Sequence, residues 1–271
     1  SLEYDPASQL LITVGGSEAI DVALRTILMP GDEVLIPEPS FVSYKPCAIM
    51  AGGKAVVVPL HGENGFKLTV RDLEGLVTEK TKVLVFPYPG NPTGATMSKK
   101  DMEELCRFIC EKDLFVLSDE IYAELTYDEP HTSIASMPGM YERTLVINGF
   151  SKAFSMTGWR LGYAAGPKEL LEQMTKVHQF AIMCAPTTSQ YAAIEALKNC
   201  DRAVEEMKQE YNRRRRLVVS KLREMGLPCS DPSGAFYVFP CIRSTGMTSE
   251  EFCQKLLHQK KIAVVPGDAF G

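Results

Sequence analysis

The amino-acid sequence predicts an α/β protein in which helices cover both faces of a largely parallel sheet. Three observations support this fold class: short runs are apolar at every position, helical patterns separate those runs, and the alternation changes near Pro186. Strands that are apolar throughout are buried on both faces, and helices between them favour parallel pairing. We therefore predict a large three-layer α/β/α domain over residues 1–199 and a smaller, partial α/β domain over residues 200–271.

The first domain is predicted to contain short strands and an amphipathic first helix. The predicted strands are Leu10–Val14, Glu33–Pro37, Ala55–Leu60, Val83–Tyr88, Leu114–Ser118 and Thr144–Ile147. The clearest helical pattern places apolar residues at the spacing of one helix face, at Ala19, Ile20, Ala23, Leu24, Ile27 and Leu28. Such a helix buries its apolar side against the sheet, as the predicted fold class requires.

The last third of the sequence predicts helices joined to a small strand pair. Helical patterns cover Thr188–Lys198, Arg202–Met225 and Ser249–Lys260, and strand-like segments at Gly234–Pro240 and Ile262–Val265 flank the last of these. The second domain is therefore expected to join the first through the long helix near residue 200. Because the sequence begins without methionine and stops inside this second domain, we expect it to be a fragment of a longer protein.

The net charge and the hydropathy of the sequence argue against nucleic acids and membranes as partners. The formal net charge of −5 at pH 7 gives no support to nucleic-acid binding, which usually requires a basic face. The exception is Arg213–Arg216, which lies in a polar helical pattern and is predicted to form a solvated helix face. No apolar run approaches the roughly 18 residues of a membrane span, and the first residues do not resemble a signal peptide.

The cysteines and histidines are spaced for packing. None of the eight cysteines forms a C-x-x-C pair, and Cys106 and Cys110 lie four positions apart on the predicted core side of a helix. The four histidines are scattered without the spacing of metal ligands. We predict a reduced, cytoplasmic protein without a structural metal.

Lys152 is the strongest candidate for a reactive residue. It follows the predicted strand Thr144–Ile147, has Ser151 as its neighbour, and precedes Arg160 by eight positions. A lysine amine traps a carbonyl only when burial or a nearby cation favours its neutral form. Taken alone, a solvated surface lysine is the commoner interpretation. The surrounding residue types favour a buried Schiff base beside an arginine that binds an anionic group.

The segment Gly15-Gly16-Ser17-Glu18 joins the first predicted strand to the first helix. Glycines allow close backbone approach, and free amides at a helix N-terminus bind phosphate. A tight turn capped by Ser17 is the simpler alternative and is favoured when the segment is taken alone. A dinucleotide-binding fold competes as well, but the segment lacks the G-x-G-x-x-G pattern.

Two predicted strand ends carry polar side chains. Asp119 follows the strand Leu114–Ser118, and a buried carboxylate there requires a partner such as a pyridinium nitrogen, unless it caps a following helix. Tyr122, three positions later, could direct its hydroxyl at a phenolate oxygen or simply pack. Asn91 lies in a rigid loop after another strand and could share that oxygen, or serve only as a turn residue.

Together these stretches resemble the class I and II aminotransferases, the pyridoxal-phosphate enzymes of the aspartate aminotransferase superfamily. The resemblance covers essentially the whole chain and depends on Asn91-Pro92-Thr93-Gly94, Asp119-Glu120-Ile121-Tyr122, and Ser151-Lys152 through Gly158-Trp159-Arg160. It implies a mostly parallel mixed sheet, pyridoxal 5′-phosphate as cofactor, and a homodimer. The implied reaction moves an amino group between an amino acid (aspartate, aromatic or related) and a 2-oxo acid such as 2-oxoglutarate.

The resemblance also implies residue roles. Lys152 would form the internal aldimine and carry a proton, Asp119 would pair with the pyridine nitrogen, and Asn91 and Tyr122 would hold the ring oxygen. The remaining cofactor contacts that it implies are Gly16, Ser17, Glu18, Phe41, Ser151 and Arg160. Arg160 and the amides of Gly16–Glu18 would bind the phosphate, and Phe41 would stack on the ring unless it is a core aromatic.

Two site positions depart from the family pattern or lie outside the sequence, and three alternative functions stay open. Gly149 stands where many members carry a serine or threonine that bonds the phosphate, and the arginine for the substrate α-carboxylate would follow the segment Val264–Phe270. We therefore expect this fragment to have little activity by itself. The alternatives on the same scaffold are a carbon–sulfur β-lyase, a cyclopropane-forming synthase and the ligand-sensing domain of a transcription regulator.

Overall fold

A seven-stranded sheet forms the centre of the molecule. The computed structural model describes residues 2–271. The strands are β1 Leu10–Thr13, β2 Glu33–Glu38, β3 Lys54–Pro59, β4 Thr81–Phe86, β5 Phe115–Asp119, β6 Thr144–Gly149 and β7 Gly162–Ala165. They lie in the order β1-β7-β6-β5-β4-β2-β3. All six strands predicted in the first domain are present, with bounds displaced by at most two residues.

The seventh strand, β7, was not predicted. It pairs antiparallel with β1 and with β6, whereas the neighbouring pairs among β2 to β6 are parallel. Its sequence, Gly-Tyr-Ala-Ala, has a single residue type with high strand propensity, so it gives little sequence signal. The sheet is therefore mixed and mostly parallel, and the ends of β4, β5 and β6 lie along one edge.

Helices cover both faces of this sheet. They are α1 Gly16–Ile27, α2 Tyr44–Met50, α3 Val70–Leu73, α4 Lys99–Glu111, α5 Phe150–Ala153, α6 Lys168–Ala181, α7 Thr187–Asn199, α8 Asp201–Glu224 and α9 Ser249–Lys260. Neighbouring strand residues belong to two different core clusters: Leu84 packs with α3 and α4, and Val85 packs with α1, α2 and α6. This alternation confirms the predicted three-layer arrangement, since successive strand side chains point to opposite faces.

The predicted helix face that contains Cys106 is confirmed in α4. Met102, Leu105, Cys106 and Ile109 are buried, and Cys110 is partly buried at the margin of the same cluster. The helix begins with a capping box in which Ser98 and Asp101 bond each other's backbone amides. These cysteines therefore act as packing side chains.

The prediction of two strands in the last third of the chain is wrong. Gly234 and Pro240 form only isolated bridges, to Thr126 and Cys229, and no strand covers Ile262–Val265. Ala235 has a φ of 56°, which interrupts the extended backbone of the first segment. The second segment is exposed and has no neighbouring strand within residues 2–271. The helix Ser249–Lys260 has the predicted bounds, and the domain boundary near residue 200 stays a prediction.

The arginine run on α8 agrees only partly with its prediction. Arg213 and Arg214 are exposed and pair with Glu210, as expected of a solvated helix face. Arg215 differs, because it lies over the ring of Tyr127 and pairs with Asp128 with only 12% of its side chain exposed. The interpretation of the whole run as solvated is therefore wrong for Arg215, which lies on the inner side of the helix.

Residues 2–271 contain neither a helix suited to span a membrane nor a cluster of metal ligands. None of the helices there combines enough length with enough apolar character to cross a lipid bilayer. The same residues contain no group of three or more histidine, cysteine, aspartate or glutamate side chains placed to hold a metal ion.

Candidate active site

A cavity of about 190 Å³ lies where β4, β5 and β6 end and α1 begins. Nine of the ten predicted site residues line it, namely Gly16, Ser17, Phe41, Asn91, Asp119, Tyr122, Ser151, Lys152 and Arg160. The tenth, Glu18, directs its side chain elsewhere. The loops that follow parallel strands meet at one edge of a sheet, which explains how residues far apart in the sequence reach one cavity. Their roles toward a cofactor remain predictions.

Lys152 lies in the short helix α5, directly after β6. Its Nζ atom is 5.6 Å from the ring centroid of Tyr122 and 5.5 Å from that of Phe236. Burial lowers the pKa of the Lys152 amine; Asp119 opposes this decrease and Arg160 adds to it. A lowered pKa enlarges the neutral, nucleophilic fraction of the amine. The alternative of a fully solvated surface lysine is therefore wrong.

Asp119 is the last residue of β5 and is only 7% exposed. One carboxylate oxygen accepts a hydrogen bond from the Tyr44 hydroxyl at 2.7 Å, and the other accepts one from the Ile121 amide at 3.2 Å. Burial raises the pKa of Asp119, against the opposing effect of these two donors. A turn and no helix follows, so the helix-capping alternative is wrong. Among residues 2–271 the carboxylate has neutral hydrogen-bond donors and no ion pair.

The hydroxyl of Tyr122 has a protein partner that the sequence did not indicate. Its oxygen is 2.6 Å from the hydroxyl oxygen of Tyr237, which also lines the cavity. Phe236 packs edge-on against the Tyr122 ring, at 5.4 Å between centroids. Burial strongly raises the pKa of Tyr122, and Tyr237 adds to the increase. Tyr122 is therefore a neutral hydroxyl that takes part in a hydrogen bond inside the cavity, so packing alone does not describe it.

Asn91 brings a polar side chain to the same cavity from the loop after β4. The loop is closed by two backbone hydrogen bonds, from the Gly90 amide to Ala95 and from the Gly94 amide to Gly90. The Oδ1 atom of Asn91 is buried and has no hydrogen-bond partner among residues 2–271. A buried polar atom without a partner costs free energy, so a ligand that could bond it would offset that cost.

The turn from β1 into α1 contributes Gly16 and Ser17 to the cavity wall. Gly15, with a φ of 78°, caps the helix, and α1 begins at Gly16, so the alternative with Ser17 as the cap is wrong. A Cβ atom added to Gly15 would lie 2.7 Å from Nη2 of Arg160. The Arg160 guanidinium is also held by a hydrogen bond from its Nη1 to Thr157. First-turn amides and a guanidinium at one end of a cavity are suited to a phosphate group.

The side chain of Glu18 points away from the cavity. One carboxylate oxygen accepts the Val14 amide, and the other is 2.7 Å from Nδ1 of His178. Any contact of Glu18 with a phosphate would therefore be through its backbone amide, and its carboxylate has another role.

Gly149 has no room for a larger side chain. It pairs with Gly162 in the β6–β7 register. A Cβ atom at Gly149 would lie 2.8 Å from Cα of Gly162 and 3.0 Å from the carbonyl oxygen of Leu161. The serine or threonine that many members of the resembled family carry does not fit here without movement of β7.

The sequence did not indicate the three other hydroxyl side chains in the cavity wall, those of Tyr44, Thr157 and Tyr237. Tyr44 follows Phe41 by three positions, a spacing that places neighbouring rings together and could have drawn attention to it. Thr157 donates its hydroxyl to the carbonyl oxygen of Ser151 at 2.8 Å and so closes the turn around Lys152. Tyr237 carried no usable signal, because it lies 115 residues from its partner Tyr122.

Comparisons with known proteins agree over the whole chain. The family model for aminotransferase class I and II matches residues 1–271. An aspartate aminotransferase of Pyrococcus abyssi is 51% identical over 274 residues, covering 100% of this chain and 70% of the relative. Aromatic-amino-acid aminotransferase 2 of Thermococcus litoralis is 50% identical over 273 residues, with the same coverage. The crystal structure of an aromatic aminotransferase from Pyrococcus horikoshii OT3 superposes with a TM-score of 0.97 at 50% identity, over 100% of this chain and 73% of that one.

Proposed function

Because the chain belongs to the class I and II aminotransferases, enzymes that transfer an amino group between amino acids and 2-oxo acids, we propose that its cavity binds pyridoxal 5′-phosphate at Lys152. The family depends on this cofactor. One observation carries the proposal for this chain: a partly buried lysine with a lowered pKa, a buried carboxylate and an arginine beside a helix N-terminus line a single cavity.

The residues present fit the cofactor. Asp119 is buried with only neutral donors, so a pyridinium nitrogen would supply the missing positive charge. The α1 amides and Arg160 would hold the phosphate. The side-chain amide N–H of Asn91 and the hydroxyl of Tyr122 would donate to the ring oxygen, and the unpaired Oδ1 of Asn91 could accept from a donor on a ligand. The half-buried Phe41 would cover a face of the ring.

When bound, pyridoxal phosphate supplies an electron sink for the charge that develops at the substrate Cα. Lys152 supplies the base: a neutral Nζ can accept a proton, and its lowered pKa keeps more of the amine neutral. The rings of Tyr122 and Phe236 both lie within 5.6 Å of Nζ and limit its contact with water on that side. Tyr44 and the Ile121 amide favour the ionised form of Asp119 and so oppose the increase in its pKa that burial causes.

Attachment of the cofactor can be tested directly. This chain would be incubated with pyridoxal phosphate, reduced with borohydride, digested and mapped by mass spectrometry. We expect the label on Lys152, and its loss in Lys152→Ala. Lys54, which pairs with Glu33 at the far side of the sheet, supplies the control variant Lys54→Ala, which should label as the wild type does. A principal label on any other lysine contradicts the proposal.

For the substrate, we propose aspartate or an aromatic amino acid as the amino donor and a 2-oxo acid such as 2-oxoglutarate as the acceptor. The names of the relatives suggest these donors, and the rings of Tyr122 and Tyr237 give the cavity an aromatic wall against which Phe236 packs. Absorbance changes of the loaded protein on mixing with single amino acids would rank the donors. Release of pyruvate from substituted alanines in place of such changes would favour a lyase.

We further propose that the protein is a cytoplasmic homodimer. Helix α7 exposes three apolar side chains at a spacing of three residues, Tyr191, Ile194 and Leu197, and Tyr191 is 71% exposed. An exposed apolar stripe of this kind is typical of an association surface. Cys47 and Cys106 pack in the core as thiols, which suits a reducing compartment. Leu197→Glu should halve the mass measured by light scattering, whereas Met29→Glu, on another exposed surface, should not. An unchanged mass for Leu197→Glu would contradict this surface.

A further inference from the structure

Glu18, which is partly buried, and His178, which is buried, form a pair next to the turn from β1 into α1. Glu18 lies in the first turn of α1, and His178 lies on α6 with only 4% of its surface exposed. The Glu18 Oε1 and His178 Nδ1 atoms are 2.7 Å apart, so Nδ1 donates to the carboxylate. The second oxygen, Oε2, accepts the backbone amide of Val14. Both carboxylate oxygens are therefore bonded, and neither residue lines the cavity.

This carboxylate holds one side of a turn that contains glycine. Gly15, with a φ of 78°, connects β1 to α1 and has the backbone freedom of glycine. On one side of it, Glu18 holds the Val14 amide; at Gly15 itself, the buried Thr13 hydroxyl donates to the carbonyl oxygen at 3.0 Å. Two side chains thus restrain a turn that glycine alone would leave mobile.

The position of that turn decides where the phosphate-binding groups lie. Arg160 Nη2 would be only 2.7 Å from a Cβ atom at Gly15, and a Cβ atom at Gly162, on β7, would lie 2.7 Å from the carbonyl carbon of Gly15 and 2.8 Å from the Gly16 nitrogen. The α1 amides and the Arg160 guanidinium can contact one phosphate together only while this spacing is kept. A movement of the turn by a fraction of an ångström would separate the two sets of donors.

We propose that Glu18, held by His178, is a positioning residue for the cofactor phosphate. It sets the β1–α1 turn so that the amides of Gly16 and Ser17 and the guanidinium of Arg160 converge on the same group. The inference rests on the proposed pyridoxal-phosphate site. It assigns to the Glu18 carboxylate a role that is distinct from any contact of its backbone amide with the phosphate.

Electrostatics and positioning predict opposite effects for this residue. A carboxylate close to a phosphate repels it, so removal of the Glu18 charge would strengthen phosphate binding if charge alone mattered. If the carboxylate holds the turn, its removal weakens phosphate binding. Glu18→Ala removes both the charge and the hydrogen-bond acceptors, whereas Glu18→Gln removes the charge but keeps an oxygen that can accept the Val14 amide.

The test compares pyridoxal phosphate with pyridoxal, which lacks the phosphate. Dissociation constants for both would be measured by cofactor absorbance in the wild type, Glu18→Ala and Glu18→Gln. We expect Glu18→Ala to bind pyridoxal phosphate roughly tenfold more weakly, as for loss of a hydrogen bond to a charged group, and to bind pyridoxal unchanged. Glu18→Gln should stay close to the wild type. Arg25→Ala, near the exposed C-terminal end of α1, serves as the control and should bind both ligands normally.

Three results would overturn the inference or its basis. Equal or tighter binding of pyridoxal phosphate by Glu18→Ala contradicts the positioning role. Equal weakening of both ligands shows a role in folding only and also contradicts it. A wild type that binds pyridoxal as tightly as pyridoxal phosphate contradicts the proposed phosphate site instead. If Glu18→Ala does not fold, His178→Ala carries the test, with the same selective loss expected and the same outcomes against it.

Discussion

The hydrogen bond from Tyr44 to Asp119 offers the sharpest test of how this cavity keeps a charge buried. Both side chains are almost completely enclosed, and the bond between them is the shorter of the two that the carboxylate accepts. Tyr44→Phe removes one oxygen atom and keeps the ring, which packs edge-on against Phe41. The substitution therefore isolates the hydroxyl and leaves the surrounding packing in place.

The size of the effect follows from the charge of the acceptor. A hydrogen bond to an ionised group contributes about 1.5–3 kcal/mol to stability, and a neutral one about 0.5–1.5 kcal/mol. Tyr44→Phe should therefore lower the free energy of unfolding by about 1.5–3 kcal/mol while Asp119 is ionised. In the Asp119→Asn background, where the acceptor is neutral, the same substitution should cost about 0.5–1.5 kcal/mol.

The pH dependence has a definite sign. Burial raises the pKa of Asp119 above that of the unfolded chain, so the folded protein holds this proton more tightly and loses stability as the pH rises through the raised pKa. The Tyr44 bond favours the ionised form and offsets part of that loss. The deficit of Tyr44→Phe should therefore be largest above the raised pKa of Asp119 and should shrink as the pH falls through it.

The assay is urea unfolding of the cofactor-free chain, followed by circular dichroism from about pH 3, below the ordinary pKa of an aspartate, to about pH 9. Tyr88→Phe is a matched control, since Tyr88 is equally buried at 2% exposure and its hydroxyl bonds only backbone groups, at Phe66 and Leu68. Its deficit should not change with pH over this range. A Tyr44→Phe deficit with the same flat profile, or one that Asp119→Asn leaves unchanged, would refute the reasoning.

The remaining predictions concern the loaded protein and the β6–β7 register. Asp119→Asn should still take up pyridoxal phosphate, because the lysine and phosphate contacts survive. Its absorbance changes on mixing with amino acids should slow by at least about tenfold, and a wild-type rate would contradict the pairing of Asp119 with the ring nitrogen. Tyr122→Phe should raise the pH midpoint of the bound cofactor's absorbance, because it loses a hydrogen bond to the deprotonated form, and Tyr237→Phe should raise it less. Identical midpoints in the wild type and both variants would contradict a role for either hydroxyl. Gly149→Ser should lower the free energy of unfolding by about 1–3 kcal/mol, because its Cβ would meet Cα of Gly162 at 2.8 Å. Wild-type stability in urea denaturation would contradict this and would show that β7 moves at little cost.

The sequence predicted a strand or a site residue correctly where a local requirement, such as burial on both faces, determines the residue type. Strands buried on both faces must be apolar throughout, so β2, β4 and β5 were visible as continuous apolar runs. Asn91, Asp119 and Lys152 could then be placed together, because each follows a parallel strand and such strands end along one edge of the sheet. The contribution of Glu18 was visible only as part of a glycine-rich turn, since its partner His178 lies on a helix 160 residues away.

The segment around Tyr237 shows why the rest of the site could not be predicted. Residues 234–240 have the composition of a strand, in which neighbouring side chains point to opposite faces. In the structure, Phe236 and Tyr237 are adjacent in sequence, yet both rings pack against Tyr122, at 5.4 and 5.7 Å between centroids. The left-handed backbone of Ala235 precedes them and breaks the alternation, and no side-chain pattern signals that conformation in a non-glycine residue. The aromatic wall beside Lys152 is therefore a product of tertiary packing, and its hydroxyl partner for Tyr122 became visible only with the fold.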